Sequence, residues 1–201
     1  LINIQKKNSK SALMASLSTK RFTNICVFGG TNYGKYREFV EVATHLGKVL
    51  IERKIHLVYG GGNLGLLGCV SRAARDGGSQ ALGIVPKPMA GADIIKKTNG
   101  LIAMLYHDDA FIALPGGFGT LEEIFTMASW AQLHIHDKPI GLLNVIKFYD
   151  GLLSFLDHAQ KNYYISPSIR KTFISASSPH ELIDQLQAFN YEPDPSTSEL
   201  I

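Results

Sequence analysis

Three glycine clusters, each following a short apolar run, are the part of this 201-residue sequence whose residue types best suit chemistry. Glycine has no side chain, so its backbone can approach a ligand closely and its N–H groups stay accessible. The second and third clusters precede helical patterns, and the first turn of a helix attracts anions through its unpaired N–H groups and its dipole. We therefore expect a phosphate site, although plain tight turns would also account for the glycines. The expected binding residues are Gly29, Gly30, Thr31, Gly60, Gly61, Gly62, Gly116, Gly117, Phe118, Gly119 and Thr120.

The two clusters before helices do not match the most familiar phosphate-binding motifs. Neither is followed by the Gly-Lys-Ser/Thr of a Walker A loop. No acidic residue follows the second strand at the place that a dinucleotide fingerprint requires. The sequence therefore predicts a phosphate site of a different kind.

Glu123, close behind the third cluster, has two interpretations. Thr120 and Glu123 have the spacing of a capping box, in which the threonine begins a helix and the glutamate reaches back to its N–H. In the functional interpretation, the carboxylate lies beside the phosphate loop. There it would position water or stabilise positive charge that develops on a sugar. The residue types alone leave both interpretations open.

Metal binding and nucleophilic catalysis have little support in the sequence. His134 and His136 alternate, and His107 precedes two aspartates, but no third ligand completes a metal-binding pattern. There is no Gly-x-Ser-x-Gly, Cys-x-x-Cys or Ser-x-x-Lys motif. We therefore predict no metal site and no serine or cysteine nucleophile.

The composition excludes several classes of protein. Hydrophobic residues make up 45% and charged residues 18%, which is typical of a globular chain. No apolar stretch approaches the roughly 18 residues of a membrane span, and a net charge of +3 is too small to indicate nucleic-acid binding. The two cysteines, Cys26 and Cys69, lie in apolar contexts that suit a reducing compartment. We predict a cytoplasmic protein, with the nucleus as a second location.

Short apolar strands alternate with amphipathic helices and position the glycine clusters. The predicted strands are Asn24–Phe28, His56–Tyr59, Ala81–Val85, Ala110–Leu114, Ile140–Leu143 and Thr172–Ser175. The predicted helices are Tyr36–Glu52, Leu64–Asp76, Thr120–Leu133, Tyr149–Gln160 and Pro179–Phe189. This alternation predicts an α/β protein, a mainly parallel sheet with helices on both faces. Ligands of such sheets bind beyond the carboxyl ends of the strands, where every glycine cluster falls.

The chain reads as a single domain over residues 21–191. Residues 1–20 are rich in Lys and Ser and contain no acidic residue, as in an organelle transit peptide, but they lack a sustained amphipathic period. We therefore predict a disordered leader there. Residues 192–201 are rich in Pro, Ser and Thr and are predicted to form a flexible tail.

Four segments of the sequence resemble the plant LONELY GUY family of cytokinin-activating phosphoribohydrolases, whose members are often mislabelled as lysine decarboxylases. The family signature Pro-Gly-Gly-x-Gly-Thr-x-x-Glu stands intact at Pro115–Glu123, and the resemblance runs from about Asn24 to about Phe189. The segments are ICVFGGTNYGK (25–35), LVYGGGNLGLLG (57–68), DAFIALPGGFGTLEE (109–123) and WAQLHIHDKPIGLLN (130–144).

The resemblance implies a Rossmann-like three-layer fold, a homodimer, and no metal or other cofactor. It implies hydrolysis of the N-glycosidic bond of a cytokinin riboside 5′-monophosphate, an N6-substituted AMP, to the free cytokinin base and ribose 5-phosphate. Residues 116–120 would then hold the 5′-phosphate, and Glu123 corresponds to the catalytic glutamate. The other residues that it assigns to the substrate pocket are Leu121, Glu122 and Ser129.

One segment departs from the family pattern. Family members carry a Met-His-x-Arg-Lys segment upstream of the signature, and its arginine is held to share catalysis. Here Gly100 and Leu101 stand at the Arg and Lys positions, and no arginine lies between Arg75 and Arg170. Lys96 and Lys97 are nearby, but a lysine cannot reproduce the bidentate guanidinium fork. Two hypotheses stay open: a hydrolase with impaired activity, and a catalytically inactive homologue that binds nucleotides.

Overall fold

The computed structural model describes residues 21–84 and 94–192, with the backbone alone for residues 94–99. Within these ranges, six strands form one sheet in the order β3-β2-β1-β4-β5-β6, and every neighbouring pair is parallel. The strands are β1 (Asn24–Phe28), β2 (His56–Tyr59), β3 (Ala81–Gly83), β4 (Ala110–Ala113), β5 (Ile140–Leu143) and β6 (Phe173–Ala176).

Helices connect the strands and cover both faces of the sheet. They are α1 (Arg37–Glu52), α2 (Gly65–Asp76), α3 (Ile94–His107), α4 (Phe118–Gln132), α5 (Asp150–Lys161), α6 (Pro167–Thr172) and α7 (Pro179–Ala188), with a short 3-10 turn at Val145–Lys147. None of the helices in the described ranges is long and apolar enough to cross a membrane.

Strands β1, β4 and β5 are almost wholly apolar because both of their faces are buried, whereas the edge strand β3 is exposed. Ile25 and Val27 pack into a core with α1, α2 and α7, whereas Cys26 and Phe28 pack into a second core with α3, α4 and α5. All four residues of β4 are fully buried. This double burial explains why the strands do not alternate between apolar and polar residues.

The order of the strands creates a crevice between β1 and β4. The chain proceeds from β1 outward to β2 and β3, and from β4 outward to β5 and β6 in the other direction. In open parallel sheets, ligands bind at such a switch point, beyond the carboxyl ends of the strands. The glycine clusters after β1, β2 and β4 all lie at this edge.

The predicted parallel sheet with two covered faces is confirmed, and β1, β2 and β5 have the predicted bounds. Strand β3 ends at Gly83 rather than at Val85, which lies outside the described residues. Two helices, α3 and α6, were not predicted. The predicted leader (1–20) and all but the first residue of the predicted tail lie outside the described residues.

Candidate active site

A cavity of about 570 Å³ opens at the carboxyl ends of β1, β2 and β4. It brings together residues from all three glycine clusters and Glu123, which the sequence separates by up to 94 positions (123 − 29). The predicted residues that line it are Gly29, Gly30, Thr31, Gly60, Gly62, Gly116, Gly117, Phe118, Gly119, Thr120 and Glu123.

Backbone hydrogen bonds tie the glycine loop after β1 to its two neighbours. The Gly30 N–H donates to the Pro115 carbonyl at 3.0 Å, and the Leu66 N–H, at the start of α2, donates to the Gly30 carbonyl at 3.0 Å. The loop after β1 is therefore fixed between the loop after β4 and the start of α2. This arrangement gives the floor of the cavity a defined backbone shape without any side chain.

The glycines in these loops have two different structural roles. A Cβ on Gly116 would lie 2.2 Å from Thr120 Oγ1, so only glycine allows the loop to fold back on the first turn of α4. At Gly60, Gly62, Gly117 and Gly119, a Cβ would meet nothing within 4 Å. Their missing side chains leave open space, and that space belongs to the cavity.

Helix α4 begins at the cavity, and it begins earlier than predicted. Its first residue is Phe118 and its N-cap is Gly117, with no side-chain cap. The Leu121 N–H bonds to the Gly117 carbonyl at 3.1 Å, so helix geometry leaves the N–H groups of residues 118–120 without acceptors inside the helix. The predicted capping box is wrong, because Thr120 is the third residue of the helix and 4% exposed rather than its N-cap.

Glu123 is half-buried in the second turn of α4 and is the single charged side chain among the described residues that line the cavity. Its charge also affects a buried thiol in the protein core, that of Cys26. Burial raises the pKa of the Cys26 thiol well above its usual value, and the carboxylates of Asp108 and Glu123 raise it further. Glu123 therefore lines the same cavity that the start of α4 borders.

Seven residues that line the cavity were not among the predicted site residues: Asn32, Gly34, Phe39, Leu66, Leu67, Pro115 and Phe148. Phe39 belongs to α1 and Phe148 follows β5, and their rings meet edge to face with centroids 5.8 Å apart. Phe39 lies within the predicted helix Tyr36–Glu52, and nothing in the sequence singled it out. The rule that loops after parallel strands form the site would have pointed to Phe148.

Four predicted residues do not line the cavity. Gly61 lies between two lining glycines, Leu121 packs against the core beneath α4, and Glu122 is exposed. Ser129 borders a separate hollow of about 200 Å³ between α4, α5 and α6.

His136 has a structural environment. One ring nitrogen, Nδ1, accepts from the Lys138 backbone N–H at 3.1 Å, so the other, Nε2, carries the proton and donates to the Met127 carbonyl at 2.9 Å. Burial lowers the pKa of this histidine. Both nitrogens are therefore engaged in fixing the turn before β5.

Asp108, at the amino ends of the strands, is a buried carboxyl group that the sequence did not single out. It is 3% exposed, and neither oxygen has a hydrogen-bond partner among the described residues. Burial raises its pKa to about 8, an effect that the Lys138 ammonium partly offsets. No described cavity reaches this carboxyl group.

Comparison with known proteins finds relatives that match most of the chain. Residues 67–186 match the family model described as "Possible lysine decarboxylase". The chain is 45% identical over 190 residues to the probable cytokinin riboside 5′-monophosphate phosphoribohydrolase LOGL6 of Oryza sativa subsp. japonica, covering 89% of this chain and 76% of that protein. It is 44% identical over 185 residues to the cytokinin riboside 5′-monophosphate phosphoribohydrolase LOG3 of Arabidopsis thaliana, covering 87% and 86%.

Solved structures support the fold assignment. The Moco carrier protein of Chlamydomonas reinhardtii aligns with a TM-score of 0.60 at 20% identity and covers 85% of this chain and all of its own. The molybdenum cofactor binding protein of Rippkaea orientalis aligns with a TM-score of 0.59 at 22% identity, covering 84% and 97%. At this level of identity the likeness concerns the fold alone, and it confirms the predicted Rossmann-like architecture.

Proposed function

The chain belongs to the family of cytokinin riboside 5′-monophosphate phosphoribohydrolases, and we propose that it catalyses the reaction for which those relatives are named. The reaction is hydrolysis of the N-glycosidic bond of an N6-substituted AMP, which releases the free base and ribose 5-phosphate. The observation that carries the proposal is the cavity itself. It joins the start of α4, an anion site made of backbone, to a single carboxylate one turn further along the helix.

The start of α4 is the proposed binding site of the 5′-phosphate. The N–H groups of Phe118, Gly119 and Thr120 lack acceptors in the helix, and the helix dipole adds a positive potential at this end. Gly117 and Gly119 offer no side chain that would hold the phosphate away. Binding energy from this non-reacting group then fixes the orientation of the sugar.

Glu123 is the proposed catalytic residue. It lies four residues after Gly119, or about 6 Å further along the helix axis, so a phosphate at the helix start brings the sugar beside its carboxylate. Cleavage of the N-glycosidic bond leaves a sugar that resembles an oxocarbenium ion. A carboxylate in this place stabilises the developing positive charge and accepts a hydrogen bond from the attacking water.

A specific observation favours a second candidate function, a nucleotide-binding homologue without catalysis. The arginine position of the family corresponds to Gly100 in α3, and the neighbouring Leu101 is 5% exposed in the core. Loss of a charge-stabilising donor commonly lowers a rate by about a hundredfold or more. Such a homologue would keep the phosphate site and lose turnover.

The family description names a different activity, lysine decarboxylation, which the cavity does not support. Enzymes that use pyridoxal phosphate hold it through a lysine Schiff base. No lysine is present among the described residues that line the cavity.

Turnover of isopentenyladenosine monophosphate tests the proposal directly. The purified protein should release free isopentenyladenine, and a Glu123→Ala variant supplies the background rate. Release at the background rate, together with retained binding of AMP, would replace the hydrolase by the non-catalytic homologue. If the protein neither releases the base nor binds AMP, both the hydrolase and the nucleotide-binding homologue are contradicted.

We further propose that the protein is a homodimer that pairs through the outer surface of α4 and α5. Phe155 and Tyr164 are 58% and 81% exposed and, with the half-buried Phe125, border the hollow that contains Ser129. Exposed apolar surface of this kind marks contact sites. Sedimentation equilibrium should give twice the monomer mass, and Phe155→Glu should shift it toward the monomer; a monomeric wild-type protein would contradict this assignment.

We also propose a cytoplasmic location. Both cysteines of the sequence, Cys26 and Cys69, are buried free thiols, which is the usage typical of a reducing compartment. A fluorescent fusion of the full chain should be diffuse in the cytoplasm; accumulation in an organelle would contradict the proposal.

A further inference from the structure

The turn after β5 has an unusual backbone beside the cavity. Ile146 and Lys147 have φ angles of 44° and 64°, in the left-handed region that β-branched residues rarely adopt. The other non-glycine residues of this kind in the described ranges are Lys54, His134 and Tyr163. Each of those directly follows a helix C-cap, where the left-handed conformation is common. The strain at Ile146 and Lys147 therefore needs another explanation.

A set of hydrogen bonds from Asn144 closes the strained turn. Its backbone N–H donates to the Ala176 carbonyl at 2.8 Å, its side-chain oxygen accepts from the Tyr149 N–H at 2.7 Å, and its side-chain amide donates to Asp150 at 2.8 Å. Strained backbone persists where its surroundings over-determine it, and it concentrates near functional sites. The turn is held in this shape from both ends.

The closed turn delivers Tyr149 to the base of the phosphate loop. Tyr149 is 2% exposed, and its hydroxyl donates to the Leu114 carbonyl at 2.6 Å. Leu114 immediately precedes Pro115, whose carbonyl holds the Gly30 N–H. Burial raises the pKa of the Tyr149 phenol, so the hydroxyl remains a donor at any working pH. One hydroxyl thus fixes the last peptide before the loop.

We propose that Tyr149 is a positioning residue of the phosphate site, acting through the Leu114 carbonyl, and that the strained turn serves to place it. Without this hydroxyl, the Leu114 carbonyl would be buried with no partner in the described part of the chain, and the peptide that leads into residues 115–120 could rotate toward water. The N–H groups at the start of α4 would then no longer converge on one anion. The inference rests on the proposed function only in assigning a phosphorylated ligand to this loop.

The test is Tyr149→Phe, which removes the hydroxyl and keeps the buried ring. Calorimetric titration with AMP should show an affinity about tenfold lower than for the wild-type protein, the size expected for one misplaced buried hydrogen bond. Titration with adenosine, which lacks the phosphate, should show an unchanged affinity. If Tyr149 had a purely structural role, the substitution would lower the affinity for AMP and for adenosine equally.

Thr172→Val is the matched control. Thr172 is fully buried, and its hydroxyl donates to the Ile169 carbonyl at 2.6 Å at the end of α6, outside the cavity lining. The variant therefore loses the same kind of bond at the same distance. Thr172→Val should lower the melting temperature as much as Tyr149→Phe does, but its affinity for AMP should equal that of the wild-type protein.

Three results would overturn the inference. The first is wild-type AMP affinity in Tyr149→Phe, and the second is an equal loss for AMP and adenosine. If Tyr149→Phe fails to fold, the same titrations are made with the double variant Asp108→Asn, Tyr149→Phe, which we expect to be more stable. Full wild-type AMP affinity of that double variant would be the third result. A wild-type protein that binds no AMP would instead remove the proposed function and this inference with it.

Discussion

Two carboxylic acids flank β4, and they occupy opposite environments. Glu123, beyond the carboxyl end of the strand, lines a cavity at the start of a helix. Asp108, just before the strand, is buried without a hydrogen-bond partner among the described residues and has a pKa raised to about 8. A strongly shifted pKa often marks a functional site, yet here the shifted group has no described cavity beside it. The comparison teaches that a position on the cavity wall singles out the proposed catalytic carboxylate, whereas burial without such access marks a carboxyl group that costs stability.

Glu123→Gln should separate the two carboxylates most strongly. We expect kcat for isopentenyladenosine monophosphate to fall by about 100- to 1000-fold, because the neutral amide no longer stabilises positive charge on the sugar. The melting temperature should change little, since the residue is only half-buried. Glu181→Gln, on the exposed first turn of α7, makes the same chemical change away from the cavity and should have full activity. Equal activity of the two variants would break the comparison.

Asp108→Asn should give the converse result, a change in stability without a change in activity. With a pKa raised from 3.8 to about 8, Asp108 is protonated in the folded protein and ionised in the unfolded chain between these values. The unfolded state therefore binds fewer protons, and the contribution of Asp108 to stability falls as the pH rises from about 4 to 8. Asparagine removes this dependence and should stabilise the protein on the order of 3 kcal/mol at pH 7, with little gain at pH 4.

Urea denaturation at pH 4 and pH 7 measures this difference. The free energy of unfolding of the wild-type protein should fall between pH 4 and pH 7, and that of Asp108→Asn should change less. A variant that is equally or less stable at pH 7 would show that the carboxyl group carries no burial cost. Loss of turnover would show instead that the amino edge of the sheet takes part in the reaction.

Gly116→Ala sharpens the comparison on the cavity side. The new Cβ would lie 2.2 Å from Thr120 Oγ1 and 3.0 Å from the Gly30 nitrogen, so the loop and the first turn of α4 must separate. We expect AMP affinity to fall by at least tenfold, or about 1.4 kcal/mol. Gly117→Ala is the control for folding, because its Cβ meets nothing within 4 Å; since alanine is a poorer N-cap than glycine, its melting temperature should fall slightly, but less than that of Gly116→Ala. Undiminished AMP binding by Gly116→Ala would move the phosphate away from this loop.

The double substitution Ile146→Asn and Lys147→Gly should have the smallest effect and should stabilise the protein. Asparagine and glycine tolerate the left-handed backbone that these positions require. We expect a gain of about 1–2 kcal/mol, or a rise in melting temperature of about 2–8 °C. Calorimetry would check it, and a loss of stability would show that the turn is not strained.

The sequence predicts the sheet well because its central strands are short and mostly apolar, and because a glycine cluster follows β1, β2 and β4. It misplaces the start of α4, since Thr120 and Glu123 have the spacing of a capping box whereas the actual N-cap is Gly117. It gives no hint of α3, whose apolar residues surround a helix-weakening Gly100.

The proposed phosphate loop and the proposed catalytic residue are local in the sequence, and this is why a local pattern could suggest them. Residues 115–123 form one continuous loop and helix start, and the three glycine clusters each follow a recognisable strand. Phe39 and Phe148 line the cavity through packing between distant elements, and the Tyr149 hydroxyl contacts the Leu114 carbonyl behind it. No local pattern encodes those contacts, so only the folded structure reveals them.

A crystal structure with AMP bound would test the central claim most directly. We predict phosphate oxygens within about 3 Å of the backbone nitrogens of Phe118, Gly119 and Thr120, with the ribose between the phosphate and the Glu123 carboxylate. A phosphate bound at any other place, or a sugar on the side of the cavity away from Glu123, would contradict the account.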